Sequence, residues 1–350
     1  MAKRSIFITG GAGFIGSNSA RFYMACGWHV TVFDNLSRKG CRSNMEWLKT
    51  YGNFEFIEGD IRDRKALDSA LKVRRYDFIL HLAAQVAVTT SIKNPLEDFE
   101  INTKGTFNVL ESVRAHCPDT FVLFASTNKV YGGLETLQVT DTGLAYTLTD
   151  FPNGVPETLT LDFHSPYGCS KGAADQYIID YARIYGLRTV SFRQSCIYGY
   201  RQFGQEDQGW VAWFTIASLF EKPITFYGNG KQVRDILFVE DLVDAYDLAF
   251  ANQNRVTGKA YNIGGGPENV LSLLQLTGRL KKSLSKDVPY TIAQARAGDQ
   301  KVFVCDIRRA ANDFGWKPKT SVDQGLEKLF QWVLTHENLF ENINSIPASR

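Results

Sequence analysis

The chain reads as an α/β protein: a doubly wound parallel sheet with helices on both faces, joined to a smaller, interleaved C-terminal unit. Three observations predict this. Short β-rich apolar runs alternate with helical patterns through the first two-thirds of the sequence. A glycine-rich turn, Gly10-Gly11-Ala12-Gly13-Phe14-Ile15-Gly16, follows the first of those runs directly. After about residue 193 the alternation gives way to aromatic, Gly-rich segments such as Phe226-Tyr-Gly-Asn-Gly230 and Gly264-Gly-Gly266. At 350 residues, 44% hydrophobic, the chain is long enough to bury a large core.

Ser5 to Thr9 is the first strand, and a helix runs from the turn to about Cys26. Gly10, Gly13 and Gly16, or Gly11, Gly13 and Gly16, have the spacing that permits a tight turn and lets the backbone approach a pyrophosphate at the helix N-terminus, with Phe14 and Ile15 inside that cradle. The second strand, His29 to Phe33, ends in Asp34, placed to accept hydrogen bonds from an adenosine ribose. That favours NAD over NADP, although Arg38 and Lys39 lie nearby and Asp34 could equally be a strand-end turn residue. Further strands are predicted at 54–58, 77–82, 119–126 and 188–192. A Rossmann-type NAD-binding unit is assigned to 1–192, with 236–264 returning to it; 193–235 and 265–350 form the substrate unit. Asn342–Arg350 reads as a frayed tail.

Charges nearly cancel, 39 basic against 37 acidic, with no basic stripe interleaved with aromatics, so nucleic acid is not an expected partner. Met1-Ala-Lys-Arg precedes the first strand without an apolar leader, and no run approaches the length of a membrane helix; the expectation is a cytoplasmic protein. Cys26, Cys41, Cys117, Cys169, Cys196 and Cys305 are scattered without C-x-x-C or histidine partners, which suits reduced thiols and no metal site.

Tyr167 and Lys171, four apart on one helix face, are suited to alcohol oxidation: an ammonium beside a phenol favours the phenolate, which accepts the hydroxyl proton. Thr127 closes the fifth strand, where its hydroxyl can bridge a sugar hydroxyl and the phenol, or act as a cap. Asp60 and Ile61 end the third strand, where an adenine would sit. His81-Leu-Ala-Ala-Gln85, with Ala83 and Gln85, ends the fourth beside the pyrophosphate.

With Asp34-Asn35, Ser126-Thr-Asn-Lys-Val-Tyr-Gly132, Asp162 to Gln176, Tyr198 to Trp210 and Gly228 to Asp235, these motifs resemble the extended short-chain dehydrogenase/reductase superfamily of nucleotide-sugar enzymes over essentially the whole chain. The strings are similar to its branch that epimerises C2 of CDP-hexoses. The resemblance implies a bound NAD held by Gly10, Gly13, Phe14, Ile15, Gly16, Asp34, Asn35, Asp60, Ile61, Ala83, Gln85, Tyr167 and Lys171. Tyr167 would be the acid/base, with Lys171 lowering its pKa and Thr127 relaying or positioning the proton. Thr127, Asn128, Cys196, Phe226, Arg234 and Arg296 would face a CDP-sugar, the two arginines holding its diphosphate. Phe226 either borders the pyrimidine or belongs to the core. Arg234 and Arg296 could instead pair with acids such as Asp235 or Asp299. The 4,6-dehydratases carry Asp-Glu where this chain has Asn128 and Lys129, which argues against dehydration. Many relatives carry asparagine near Cys196. A 4-epimerase, a related dehydrogenase and a NAD-binding regulator or scaffold remain as alternatives. The helices predicted over 96–117 and 166–185 match those that form a four-helix contact in this superfamily, implying a homodimer or homotetramer.

Overall fold

The computed structural model describes residues 3–296 and 299–340; the predicted tail, Asn342–Arg350, lies outside them. Seven parallel strands form the main sheet. From one edge to the other they are Glu55–Glu58, His29–Asp34, Ser5–Thr9, Phe78–His81, Phe121–Thr127, Thr189–Gln194 and Ala260–Ile263. All six predicted strands are present, their ends within two residues of expectation. The seventh comes from the returning segment, Ala260 aligning with Ser191 and Ile263 with Gln194.

The inner strands are largely apolar because both faces of the sheet are covered, while the edge strand Glu55–Glu58 is only partly buried. Ile6, Ile8, Val30, Val32, Phe78 and Leu80 enter one core, while Phe7, Phe33, Ile79, Val122 and Phe124 enter the other. The chain leaves Ser5–Thr9 toward His29–Asp34 on one side and Phe78–His81 lies on the other, which opens a crevice at the carboxyl ends of the strands.

The smaller unit is built around Val233–Phe238, which pairs with Cys196–Tyr198, Val270–Ser272 and Val302–Phe303. Thr225–Tyr227 pairs separately with Thr291–Ala293. Its core collects Tyr198, Phe214, Phe226, Phe238, Leu276 and Leu329. The expected unit 265–350 is crossed by the helix Arg308–Phe314, because Ala310, Phe314 and Trp316 are buried in the core under the large sheet.

The helix predicted over 96–117 is three segments: Pro95–Phe99, a π-helical stretch Glu100–Lys104, and Gly105–His116. π-Helical insertions are frequent at functional sites, and this one aims Asn102 at the helix that carries Tyr167. Asn102 Nδ2 donates to Ser170 Oγ at 3.2 Å and Thr103 Oγ1 donates to the Ser170 carbonyl at 3.0 Å. That second helix, Ser165–Tyr185, starts with Pro166 in its first turn and stops at Gly186, which takes the left-handed conformation. Among the described residues no helix is long and apolar enough to cross a membrane.

Candidate active site

A cavity of about 750 Å³ opens at the carboxyl ends of the strands and runs from the glycine turn to the smaller unit. Its first end fits a dinucleotide. Gly10 has φ +69°, and a Cβ there would lie 2.7 Å from Ala83 N; one on Gly16 would lie 2.2 Å from the Gly10 carbonyl oxygen. The turn therefore closes only with glycine at both places, and the helix Phe14–Ala25 begins against the cavity.

Asp34 accepts from Ala12 N at 3.0 Å and Leu36 N at 2.7 Å. Each oxygen keeps a lone pair, and burial raises the carboxyl pKa against the two N–H donors. Asn35 donates to Asp60, which Arg62 also grips at 2.7 Å; burial opposes ionisation there, but the guanidinium and amide win and the pKa falls. Phe14, Ile15, Ile61 and Ala83 line the same end.

Gln85 is a correction. Its amide donates to the Ala87 carbonyl at 2.9 Å and to Asp98 at 2.8 Å, and its backbone N–H donates to Asn102. It is buried in the support of the catalytic helix rather than offered to a cofactor, because Asp98 is a buried carboxylate that needs donors. Ser170 gives Asp98 another at 2.5 Å.

Thr127, Tyr167 and Lys171 meet at the middle of the cavity, all buried. Burial pushes the Tyr167 phenol up to about 12, while a hydrogen bond from Thr127 pulls it down. Lys171 is pushed down to about 7 by burial, against the attraction of Asp175 and Asp98. Its ammonium donates to the Ala125 carbonyl at 2.6 Å and sits 4.0 Å from the centroid of the Phe124 ring. On the phenol the group that opposes burial is Thr127, while the charge of Asp98 adds to the rise. His81 beneath them is pushed down to about 3 by burial and by Lys171, so it stays neutral between Thr9 and Thr106.

At the second end, Lys129 and Arg234 converge on Asp299, at 3.6 and 2.7 Å. Burial raises the Asp299 carboxyl, but the two cations outweigh it and hold the pKa low. Asp235 is not a partner of Arg234; it turns the opposite way, to Ser195 and Gly266 N. Cys196 lines the cavity, its thiol pKa raised by burial despite Arg234 and the Trp210 indole.

Phe226 is the second correction. It is fully buried, stacked between Phe214 at 5.5 Å and Tyr290 at 4.0 Å, so no base can reach it. Strand alternation sends Thr225 and Tyr227 to the cavity instead. Arg296 lies 3.9 Å over the Tyr227 ring, whose hydroxyl donates to Glu206 at 2.9 Å. Tyr227 was legible from that alternation. The alternative that Arg234 pairs with Asp299 is what the structure shows; Glu206 and Gln300 carry no local signal, because only the tertiary fold brings them to residues about 20 to 170 positions away.

A parallel sheet with a glycine cradle at its switch point and a Thr, Tyr and Lys cluster at its mouth defines a short-chain dehydrogenase/reductase of the extended, nucleotide-sugar type. The chain belongs to the GDP-mannose 4,6 dehydratase family, whose model matches residues 7–329. It is 50% identical over 333 residues to the CDP-paratose 2-epimerase of Salmonella typhi, covering 94% of this chain and 98% of that one. It is 31% identical to a putative UDP-glucose 4-epimerase of Methanocaldococcus jannaschii, covering 94% and 98%. Among solved structures it resembles the UDP-glucose 4-epimerase of Thermotoga maritima with UDP-glucose, at TM-score 0.81 and 30% identity over 95% of this chain and 99% of that one. It also resembles the dTDP-glucose 4,6-dehydratase DesIV of Streptomyces venezuelae with NAD bound, at TM-score 0.83 and 28% identity over 97% and 99%.

Proposed function

We propose that the protein is a NAD-dependent nucleotide-sugar epimerase that inverts C2 of a CDP-hexose, CDP-paratose to CDP-tyvelose in the simplest case. The similarity to a CDP-paratose 2-epimerase over nearly the full chain carries the choice of carbon and base. The buried Thr127, Tyr167 and Lys171 carry the chemistry.

The glycine turn, Asp34, Asp60 and Lys171 would hold NAD, which when bound supplies the acceptor and donor of a hydride at one sugar carbon. Tyr167 takes the hydroxyl proton as that carbon is oxidised and gives it back on reduction. Thr127 donates to the phenolate and so makes it accessible in a dry pocket. Arg234, Lys129 and Arg296 would hold the diphosphate, with Asp299 balancing part of their charge, and Tyr227 would face the pyrimidine. Inversion requires the 2-keto sugar to present its other face before reduction. Asn128 and Lys129 follow Thr127 in place of an acidic pair, which argues against removal of water.

Six free thiols fit a reducing cytoplasm. For the assembly we propose a homodimer or a dimer of dimers.

The test is turnover of CDP-paratose and CDP-glucose in deuterated buffer without added NAD, read by NMR. Inversion at C2 with hydrogen retained there is the expected result. Inversion only at C4 favours the 4-epimerase reading, which the 31% identity to a putative UDP-glucose 4-epimerase supports. No inversion of either sugar at any carbon sinks both.

A further inference from the structure

We infer that Gln300 is a positioning residue: through Asn128 it sets the direction of the Thr127 hydroxyl, and so the basicity of Tyr167. Gln300 is fully buried, some 170 positions away from the residues it meets, and its amide is used at both ends. Nε2 donates to the Gly132 carbonyl at 2.7 Å, and Oε1 accepts from Asn128 Nδ2 at 3.1 Å.

This chain has one polarity, and the polarity follows from the groups themselves. A backbone carbonyl only accepts, so the Gln300 atom facing Gly132 is the NH₂ and the other is the oxygen. An oxygen only accepts, so Asn128 must offer its NH₂ to Gln300 and its own oxygen elsewhere. That oxygen faces the Thr127 hydroxyl at 3.4 Å. The Lys129 backbone N–H occupies one lone pair of Thr127 Oγ1 at 3.2 Å. The threonine proton therefore has two acceptors, Asn128 Oδ1 and the Tyr167 phenol.

Those two directions do different work. Turned to Tyr167, the proton stabilises the phenolate; turned to Asn128, it leaves Thr127 Oγ1 free to accept a hydrogen bond from the tyrosine hydroxyl or from a substrate hydroxyl, which favours the protonated phenol. A proton that must leave the sugar and later return needs both settings. The Asn128 contact is long, so the second setting is weak enough to be left again. Without Gln300, Asn128 is free to turn its NH₂ toward Thr127. Thr127 must then accept from it, and its proton is confined to Tyr167.

The test is a double-mutant cycle with Gln300→Leu and Asn128→Ala on the NAD-loaded protein, with Gln300→Met replacing the leucine variant should that one not fold. Either single change is expected to lower kcat about tenfold with KM within about threefold. Each should move the Tyr167 limb of the pH profile to lower pH, whereas Thr127→Val should move it up. The double variant should match a single one, because both break one chain. An unmoved limb, or effects that add, would overturn the inference. The inference rests on the proposed reaction only in taking Tyr167 as the titrating base. Midpoints are also read without turnover, from the ¹³Cζ resonance of Tyr167 assigned by its loss in Tyr167→Phe. A wild type that acts at C4 therefore fails the proposed reaction and leaves the cycle readable.

Discussion

Lys171 shows at the scale of one residue how the site is built at the expense of stability. Its ammonium is buried beside an aromatic ring with a single backbone carbonyl as its hydrogen-bond acceptor, and its pKa is held at about 7 against an ordinary 10.5. The folded-state value lies below the unfolded one. Between pH 7 and 10.5 the unfolded chain therefore binds the extra proton, so stability rises with pH across that window, and below pH 7 the cost is fully present. Lys171→Met removes the cost. We expect it to abolish turnover while raising Tm by about 2–5 °C at pH 7, after allowing about 1–3 kcal/mol for the Ala125 carbonyl left unpaired. The gain should shrink as pH rises toward 10 in parallel thermal melts; a variant less stable than wild type at pH 7 would refute this. Sequence placed Tyr167 and Lys171 on one helix face, but not the sign of their shifts. Those depend on desolvation by the surrounding core and on the charge of Asp98, which raises both groups, and no spacing encodes either.

The helix Ser165–Tyr185 is tied to the sheet by a buried ion pair. Asp175, fully buried, receives the Arg193 guanidinium from the neighbouring strand at 2.9 Å through NH2 and 3.3 Å through Nε. Arg193 also donates to Tyr131 at 3.1 Å, which ties the helix to the turn that follows Thr127. Removing one partner leaves an uncompensated buried charge, so Arg193→Ala should cost about 3–5 kcal/mol. The double replacement Asp175→Leu with Arg193→Met should cost much less than the sum of the single changes. Urea denaturation of the four proteins measures this, and additive costs would show that the pair does not act as a unit. The elements themselves were legible because their signals are strong: strands of four to seven residues, a glycine cradle, Pro166 and Gly186 framing one helix. The π-helical stretch Glu100–Lys104 was not, since its residues have no distinctive pattern and the insertion is settled by Asn102 reaching Gln85, Asp98 and Ser170.

For the whole molecule, the distribution of exposed apolar side chains is the informative property. Of fourteen large ones among the described residues, seven lie on 88–116 or 165–185: Ile92, Leu96, Phe99, Phe107, Tyr177, Ile184 and Tyr185. Phe107 and Tyr177 meet edge to face at 5.8 Å, so the two helices present one continuous surface. A concentration of this kind marks an association surface more readily than scattered exposed residues do. The glycine turn, Tyr167 and Arg234 all line the cavity from one chain. Association would then steady the helix that carries Tyr167 without supplying any reacting group. Phe107→Glu with Tyr177→Glu should convert a wild-type dimer or tetramer into single chains at micromolar concentration in sedimentation velocity. Those single chains should keep NAD, and their kcat should fall no more than about tenfold, because the buried Asp98 and Asp175 contacts already fix the helix from inside. A wild type that sediments as one chain at that concentration would remove the interface. Single chains that lose NAD altogether would mean that the cofactor end of the cavity depends on the partner.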